Sequence, residues 1–237
     1  MNRRNAIKAW LLSILLVWSV WLVPQALACH DTAQGRPACP TLAVRADEQI
    51  YVVYINLNPR DIFFTRSLDG GTTWSTPINL STNPGDSVRP TIALNSQGTI
   101  YVAWGDDAEG KYEVFLRYST DTGNTWSPIR NITAQVKGQD RLPAIAVDAN
   151  GTLYATWAHK ERHNEGGVIT VEREVFLQYS QDGGETWSAP YSVSGVPSVS
   201  DIIRPELTLD PAGNLYVIWE EEDSGNFEIY LSKGMRP

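Results

Sequence analysis

Cysteine is scarce in this sequence. Only Cys29 and Cys39 occur among its 237 residues, which excludes a fold held together by a network of disulfides. In an oxidising compartment the two could close one small loop near the N-terminus, but their spacing is equally compatible with two free thiols. A single bridge at this place would pin one end of the chain and would not hold the fold.

An excess of positive charge is also missing. The chain has 19 lysines and arginines against 27 aspartates and glutamates, which gives a net charge of −8. Because nucleic-acid binding depends on a basic surface, we expect no nucleic-acid partner. The sequence also contains no glycine-rich phosphate loop and no Ser/His/Asp pattern, and we expect no cofactor.

Two segments superficially resemble metal sites. His159 and His163 flank Glu161, but a four-residue spacing aligns ligands on a helix, and this segment is expected to be a loop between strands. The acidic run from Glu220 to Asp223 is most simply a solvated loop. We therefore predict no metal site.

The one long uncharged run lies at the N-terminus. It extends from Ala9 to Val23, follows a positively charged start and precedes Ala26-Leu27-Ala28, a pattern that signal peptidases cut. The run is shorter than the roughly 20 residues that a membrane-spanning helix needs. We therefore predict a signal peptide over residues 1–28 and an exported mature protein over 29–237, secreted, periplasmic or at the cell surface. The alternatives are a retained anchor, twin-arginine export and lipid attachment at Cys29.

Long stretches with helical periodicity are absent, and one unit is instead repeated four times. Each copy contains a proline followed by an apolar run, then a second β-rich run, then an acid followed by a third. These runs are short, rich in β-branched or aromatic residues and bounded by turn residues, so each is predicted to be a strand. The second runs begin at Ile50, Ile100, Leu153 and Leu215.

Three of the copies continue with the octet Ser-x-Asp-x-Gly-x-Thr-Trp. Its Asp can accept hydrogen bonds from nearby backbone N–H groups and hydroxyls, its Gly can take a positive φ, and its Trp can pack between neighbouring sheets. We therefore predict a structural role for four residues of each octet. They are Ser67, Asp69, Gly71 and Trp74; Ser119, Asp121, Gly123 and Trp126; and Ser180, Asp182, Gly184 and Trp187.

With these octets the sequence resembles the Asp-box (BNR) repeat family, whose best-known members are sialidases. The resemblance covers about residues 39–237 and implies an all-β fold, a β-propeller of four-stranded antiparallel blades. The repeat units lie at about residues 39–85, 86–138, 139–200 and 201–237, and the fourth stops after its third strand. Because sialidases have six blades, we expect a four-blade ring completed by residues 29–38, an open arc that associates with another chain, or a fragment.

In an antiparallel meander, the starts of the first and third strands and the loops between the second and third strands lie on one face of the propeller. The residues of this face are the strand-entry arginines Arg89, Arg141 and Arg204, the acids Asp61, Glu113, Glu174 and Glu228, and the loops 105–112, 158–173 and 220–227. If the protein binds a ligand, we expect it to bind here.

The family resemblance implies a sharper hypothesis. Sialidases hold the substrate carboxylate with arginines, whose planar fork binds it bidentately, and they use a Tyr nucleophile. Arg141 opens a segment that resembles their arginine motif, Glu161 and Arg162 follow in the next loop, and Glu165 is the one plausible substitute for their catalytic Asp. The tyrosines that recur in the second strands are more simply packing residues.

Three interpretations of this face stay open. The arginines and acids could be repeat consensus and pair with one another, they could bind a carboxylate, or they could belong to a sialidase active site. We expect an exported module that binds extracellular glycans or proteins through Arg89, Arg141, Arg204, Glu161 and Arg162. The alternatives are an exo-sialidase-type glycoside hydrolase and a structural propeller that assembles with another chain.

Overall fold

The computed structural model describes residues 40–56, 60–195, 197–198, 202–223 and 226–234. The predicted signal peptide and the cysteine pair Cys29 and Cys39 lie outside the described residues. Within these ranges, no helix has the length and apolar character that crossing a membrane requires.

Fifteen strands within the described ranges form four antiparallel sheets, named blades 1 to 4 in chain order. Blade 1 contains β1 (Thr41–Val44), β2 (Ile50–Ile55), β3 (Ile62–Ser67) and β4 (Ile78–Asn79), and blade 2 contains β5 (Ser87–Leu94), β6 (Ile100–Asp106), β7 (Glu113–Ser119) and β8 (Arg130–Asn131). Blade 3 contains β9 (Gln139–Val147), β10 (Leu153–Glu165), β11 (Val168–Ser180) and β12 (Tyr191–Ser192), and blade 4 contains β13 (Ile202–Leu209), β14 (Leu215–Asp223) and β15 (Asn226–Gly234).

In every blade, neighbouring strands in the sheet are also neighbours in the chain. The four sheets are arranged as a four-blade β-propeller, so the predicted all-β propeller fold is confirmed. The meander places the starts of the first strands and the turns between the second and third strands at one end of the propeller. The octets lie at the opposite end.

Apolar side chains pack between neighbouring blades in three cores. Because successive residues of a strand point to opposite faces of a sheet, one strand serves two cores. The buried residues at the centres of these cores are Phe64 and Trp104 between blades 1 and 2, Leu116 and Trp157 between blades 2 and 3, and Leu177 and Trp219 between blades 3 and 4. The recurring tyrosines Tyr51, Tyr101 and Tyr154 are buried as well, as expected of packing residues.

The prediction of long loops over residues 158–173 and 220–227 is wrong, because both segments continue the strands. In blade 3, β10 extends to Glu165, β11 begins at Val168, and the two pair along thirteen positions. The turn between them is Gly166-Gly167, with φ of 61° and 89°, which suits a two-residue hairpin turn. β14 and β15 likewise pair as far as Asp223 and Asn226.

Candidate functional site

The octets form three nearly identical corners at one end of the propeller, here called the corner end. In each corner the Ser hydroxyl donates a hydrogen bond to the Asp carboxylate at 2.7–2.8 Å and accepts one from the Gly N–H at 2.8 Å. The carboxylate also accepts from the backbone N–H and the hydroxyl of the octet's Thr. Gly71, Gly123 and Gly184 have φ of 93°, 87° and 94°, a region that favours glycine.

The corner hydrogen bonds keep the three Asp carboxyls ionised. The bond from the Thr hydroxyl is the largest cause, and together with the other bonds it lowers the pKa of Asp69, Asp121 and Asp182 to about 2. A carboxyl with so low a pKa is not a proton donor near neutral pH. The arrangement therefore supports a structural role and not acid–base chemistry.

The corner tryptophans differ in their packing. Trp126 packs edge-on against Phe64 of the preceding blade, with 4.9 Å between the ring centroids, and Trp187 packs into the core between blades 2 and 3. Trp74 is 36% exposed, because blade 1 has no preceding blade within the described chain. Trp126 and Trp187 therefore pack between sheets, and Trp74 is the exposed one of the three octet tryptophans.

At the opposite end, here called the axial end, the first strands of all four blades surround a cavity of about 280 Å³. This axial cavity is lined by Pro40, Thr41, Arg89, Pro90, Thr91, Leu142, Pro143, Arg204, Pro205 and Glu206. In blades 2 to 4, a β-bulge places two first-strand residues opposite the buried tryptophan of the second strand. The second of the two is a proline, which sheets tolerate at bulges.

The first residue of each bulge has a strained backbone. Its φ is 50° at Arg89, 57° at Leu142 and 52° at Arg204. A positive φ in a residue other than glycine costs energy and concentrates at functional sites. The bulge and its strained first residue recur in three blades, and that residue lines the axial cavity each time. We infer that the bulges bring the side chains of Arg89, Leu142 and Arg204 to the cavity.

The structure brings two of the three predicted arginines together and separates the third. Arg89 and Arg204 line the axial cavity, whereas Leu142 takes the equivalent place in blade 3. Arg141 lies one residue earlier, and its guanidinium carbon is 3.8 Å from the ring centroid of Tyr112, a cation–π contact. Arg141 stands two residues before Pro143, whereas Arg89 and Arg204 stand immediately before their prolines, and the position immediately before the proline is the one that lines the axial cavity.

Glu206 is the one carboxylate among the residues that line the axial cavity. Although its side chain is exposed to the cavity, the surrounding protein displaces water and raises the pKa of its carboxyl above the usual range. Arg204 lies beside it in the chain, and its Nη1 is 3.6 Å from a carboxylate oxygen of Glu220. The cavity thus combines two cations with one carboxyl that holds its proton more tightly than an ordinary Glu.

A second cavity of about 450 Å³ lies between blades 2 and 3 at the same end. This side cavity is lined by Lys111, Gly138, Gln139, Lys160, Glu161 and Arg162, so it contains the predicted Glu161 and Arg162. Glu165 is exposed at the end of β10 and is not among the residues that line either cavity.

A buried pair of an acid and an imidazole lies next to the side cavity. Oδ1 of Asp140 accepts a hydrogen bond from Trp157 Nε1 at 2.7 Å and is 2.7 Å from His159 Nδ1. Asp140 is fully buried and His159 nearly so. Nε2 of His159 is 3.9 Å from a carboxylate oxygen of Glu161. The buried carboxylate therefore fixes the orientation of the imidazole beside the cavity wall.

The segment with His159, Glu161 and His163 is a strand and not a loop, so these alternate residues share one face of β10. His163 Nε2 is 3.3 Å from a carboxylate oxygen of Glu172 on the neighbouring strand. Across the described part of the chain, no three His, Cys, Asp or Glu side chains are grouped so that they could hold a metal ion.

The acids that open the third strands of blades 1 and 2 contact the fourth strands. Asp61 accepts a hydrogen bond from Asn79 at 2.7 Å, and Glu113 accepts one from Asn131 at 2.8 Å and pairs with Lys111 at 2.6 Å. Both acids are therefore held by side chains of their own blade.

The family described as the BNR repeat-like domain matches residues 18–220, which is most of the chain. The chain belongs to this family. A search of curated proteins found no match.

Solved structures with a similar fold share little sequence with this BNR domain. An α-L-arabinanase of Penicillium chrysogenum complexed with arabinobiose is 16% identical, with 87% of this chain covered and a TM-score of 0.62. A GH93 α-L-arabinofuranosidase of Fusarium graminearum is 14% identical, with 87% covered and a TM-score of 0.60. A protein of unknown function from Dyadobacter fermentans is 17% identical, with 84% covered and a TM-score of 0.60. The chain spans 65% of the length of each of these structures, and at such identities the likeness establishes the fold alone.

The sequence analysis of this BNR domain did not select Glu206 or Asp140. Each could have been noticed because it differs in residue type from the equivalent residues of the other repeat units. The residue after the first-strand proline is Thr or Ala in three units and Glu206 in the fourth. Three residues before that proline stands Ser87 in one unit and Asp140 in the next.

Proposed function

We propose that this BNR domain binds a glycan that carries a carboxylate, and that the axial cavity is the binding site. The observation that carries the proposal is the convergence of Arg89 and Arg204, from two non-adjacent blades, on one cavity of about 280 Å³. A guanidinium presents two parallel N–H groups to a carboxylate. Two such groups lining one cavity suit a sugar acid better than a neutral sugar.

The ion pair between Arg204 and Glu220 is compatible with this role. Both side chains are substantially exposed, at 47% and 34%, and their closest atoms are 3.6 Å apart. Exposed pairs of this kind contribute little free energy. A ligand carboxylate can therefore replace Glu220 at small cost, and we expect Arg204 to turn toward the ligand.

Binding is a better-supported function than hydrolysis. Glycoside hydrolases use a pair of carboxyl groups, or a Tyr nucleophile in sialidases. The residues lining the axial cavity include one carboxylate and no tyrosine. The recurring tyrosines Tyr51, Tyr101 and Tyr154 are buried in the cores. The cavity therefore has groups that hold a sugar acid and lacks the usual set that cleaves one.

One observation favours a hydrolase as the second candidate. Burial raises the pKa of Glu206 above its usual range, which is the direction in which the pKa of a general acid is shifted in glycoside hydrolases. The similar solved structures include an arabinanase and an arabinofuranosidase. The substrates to test are therefore a sialoside and an arabinofuranoside.

We also propose that the protein acts outside the cytoplasm. The support is the sequence of residues 1–28, which has a positively charged start, an uncharged run and a small-x-small motif. A carboxylate-bearing glycan as ligand would fit this location.

The test is calorimetric titration of the purified protein with sialyllactose, a glucuronic acid oligosaccharide and arabinobiose. We expect an acidic sugar to bind, and Arg89→Ala and Arg204→Ala each to weaken binding about tenfold or more, since a hydrogen bond to a charged group contributes about 1.5–3 kcal/mol. Arg141→Ala is the matched control, because Arg141 stacks on Tyr112 outside the cavity, and it should leave affinity unchanged.

The same proteins, together with Glu206→Gln, are assayed on a fluorogenic sialoside and a fluorogenic arabinofuranoside. Turnover that disappears in Glu206→Gln would establish the hydrolase instead of the binding module. Absence of binding to every acidic sugar, or equal losses in Arg141→Ala and Arg204→Ala, would refute the axial site.

A further inference from the structure

Blade 4 exposes a face that the other blades bury. The residue after the acid that opens the third strand is Ile62, Val114 or Val175 in blades 1 to 3, and each of these is fully buried. The equivalent residue of blade 4, Ile229, is 77% exposed. In blades 1 to 3 this face packs against the next blade along the chain.

The next position on the same face repeats the contrast. Phe64, Leu116 and Leu177 are fully buried, whereas the equivalent Leu231 is 64% exposed. Ile218, beside Leu231 on β14, is 42% exposed. The face of blade 4 therefore carries large apolar side chains at the positions that form cores elsewhere in the propeller, and the described residues leave it uncovered.

Blade 1 exposes the opposite half of the same kind of interface. Ile92 and Ile145 are 9% and 6% exposed where blades 2 and 3 pack against the preceding blade, whereas the equivalent Leu42 of blade 1 is 61% exposed. Val44, two residues along the same strand, is 55% exposed. The free face of blade 1 is thus the kind of surface that covers the face of each preceding blade inside the chain.

A knob-and-hole contact occurs in two of the internal interfaces. A Cβ placed on Gly123 would lie 2.5 Å from the ring of Phe64, and one on Gly184 would lie 2.7 Å from Leu116. The octet glycines of blades 2 and 3 are therefore the holes that receive the apolar knobs of the preceding blades. The knob of blade 4 is the exposed Leu231.

The matching hole is the octet glycine of blade 1. A Cβ on Gly71 would meet one side-chain atom within 4 Å, that of Ile50 in its own blade, at 3.7 Å. Gly71 thus lacks a knob from another blade, just as Leu231 lacks a hole. Each of the two thus lacks the partner that its equivalents have between blades 1 and 2 and between blades 2 and 3.

Polar contacts at the rim of the interface also repeat between blades 1 and 2 and between blades 2 and 3, and in blade 4 the equivalent side chain, Lys233, lies over the ring of Tyr216 in its own blade. Arg66 and Tyr118 donate hydrogen bonds to the octet of the next blade, the latter to Glu185 at 2.9 Å. Lys233 occupies this position in blade 4. In the octet of blade 1, Thr72 stands where blade 3 has Glu185, and its hydroxyl can accept a hydrogen bond from an ammonium group.

From these matched faces we propose that a second copy of this chain docks on blade 4. The free face of blade 1 in the second copy packs against the exposed face of blade 4 in the first. The contact has the same geometry as the contact between blades 1 and 2 within one chain. Leu231 of one copy fills the space over Gly71 of the other, and Lys233 reaches the octet that contains Thr72. The two faces differ, so the contact is heterologous. Each copy therefore keeps one free face after pairing, and association grows with concentration unless a ring closes.

Sedimentation velocity over a wide range of protein concentration tests the proposal. We expect reversible association of the native sequence, weakened about tenfold or more by Leu231→Asp and by Leu42→Asp, since each places a charge at the centre of an apolar contact. Both side chains are exposed, so the folded monomer should keep its circular dichroism spectrum and unfolding midpoint. Val168→Asp is the control, because Val168 is 65% exposed at the tip of the β10–β11 hairpin and lies on neither face.

Mixing the two variants distinguishes this interface from others. The Leu231→Asp protein keeps an intact blade 1 face and the Leu42→Asp protein an intact blade 4 face, so the mixture should form a dimer with one copy of each. A contact between two blade 4 faces would be abolished by Leu231→Asp and unaffected by Leu42→Asp. A native protein that stays monomeric at all concentrations, or association that survives both substitutions, overturns the proposal.

Discussion

The two ends of the propeller differ in how strictly the repeats keep to one pattern. At the corner end, three octets make the same hydrogen bonds to within about 0.1 Å. At the axial end, one bulge position holds Arg89, Leu142 or Arg204, and the position two residues later holds Thr91, Ala144 or Glu206. The comparison shows that the repeats are uniform at the corner end and vary in side chain at the axial cavity, where we propose that a ligand binds.

The largest effect that tests this comparison is at the corner tryptophans. Trp126→Ala should lower the free energy of unfolding by about 3 kcal/mol, because it removes a large side chain that packs against Phe64 in the core between blades 1 and 2. Trp74→Ala should cost less than about 1 kcal/mol in the dilute monomer, because Trp74 is 36% exposed. Urea unfolding followed by fluorescence measures both. Equal losses would mean that the corner itself, and not packing against a neighbouring blade, determines the contribution.

A smaller loss is expected from the hydrogen bonds of a corner. Ser119 is almost fully buried and accepts a hydrogen bond from the N–H of Gly123 at 2.8 Å. Ser119→Ala leaves this buried N–H without its partner, and we expect the free energy of unfolding to fall by about 1–3 kcal/mol. Calorimetric affinity for an acidic sugar at the axial cavity should not change. A loss of affinity at constant stability would mean that the two ends are coupled.

The corner end could be predicted from the sequence because its hydrogen bonds join residues that are close together in the chain. The Ser, Asp, Gly and Trp of each octet stand within eight residues of one another, so their roles follow from residue type and spacing. The axial end was predictable only in outline. That Leu142, and not Arg141, stands immediately before Pro143 is visible in the sequence. That the residue before each first-strand proline lines a cavity depends on the bulges in blades 2 to 4, and sequence periodicity does not locate such bulges.

The β10–β11 hairpin was missed for a related reason. Residues 158–173 are rich in charge, which is typical of loops, yet the alternation of Val168, Thr170 and Glu172 with their neighbours and the turn at Gly166-Gly167 favour a hairpin. The exposed faces of blades 1 and 4 correspond to the open arc, one of the three alternatives that the sequence leaves open. Their residues match the buried consensus, so residue type alone does not choose between these alternatives.

The smallest effect concerns the carboxyls of the two ends, whose pKa values shift in opposite directions. The pKa of Asp69, Asp121 and Asp182 is lowered to about 2 in the folded protein, so the stability they contribute is present above about pH 4 and is lost as the pH falls toward 2. Burial raises the pKa of Glu206, so the stability that Glu206 contributes is present at low pH and is lost as the pH rises through that raised value.

Thermal unfolding followed by circular dichroism at a series of pH values measures both effects. In Asp121→Asn, the unfolding midpoint should fall less steeply than in the native protein as the pH is lowered from about 4 toward 2. Glu206→Gln should instead be slightly more stable than the native protein near neutral pH and indistinguishable from it at low pH. The opposite signs are the decisive readout, because a general loss of packing would lower the midpoint of both variants at every pH.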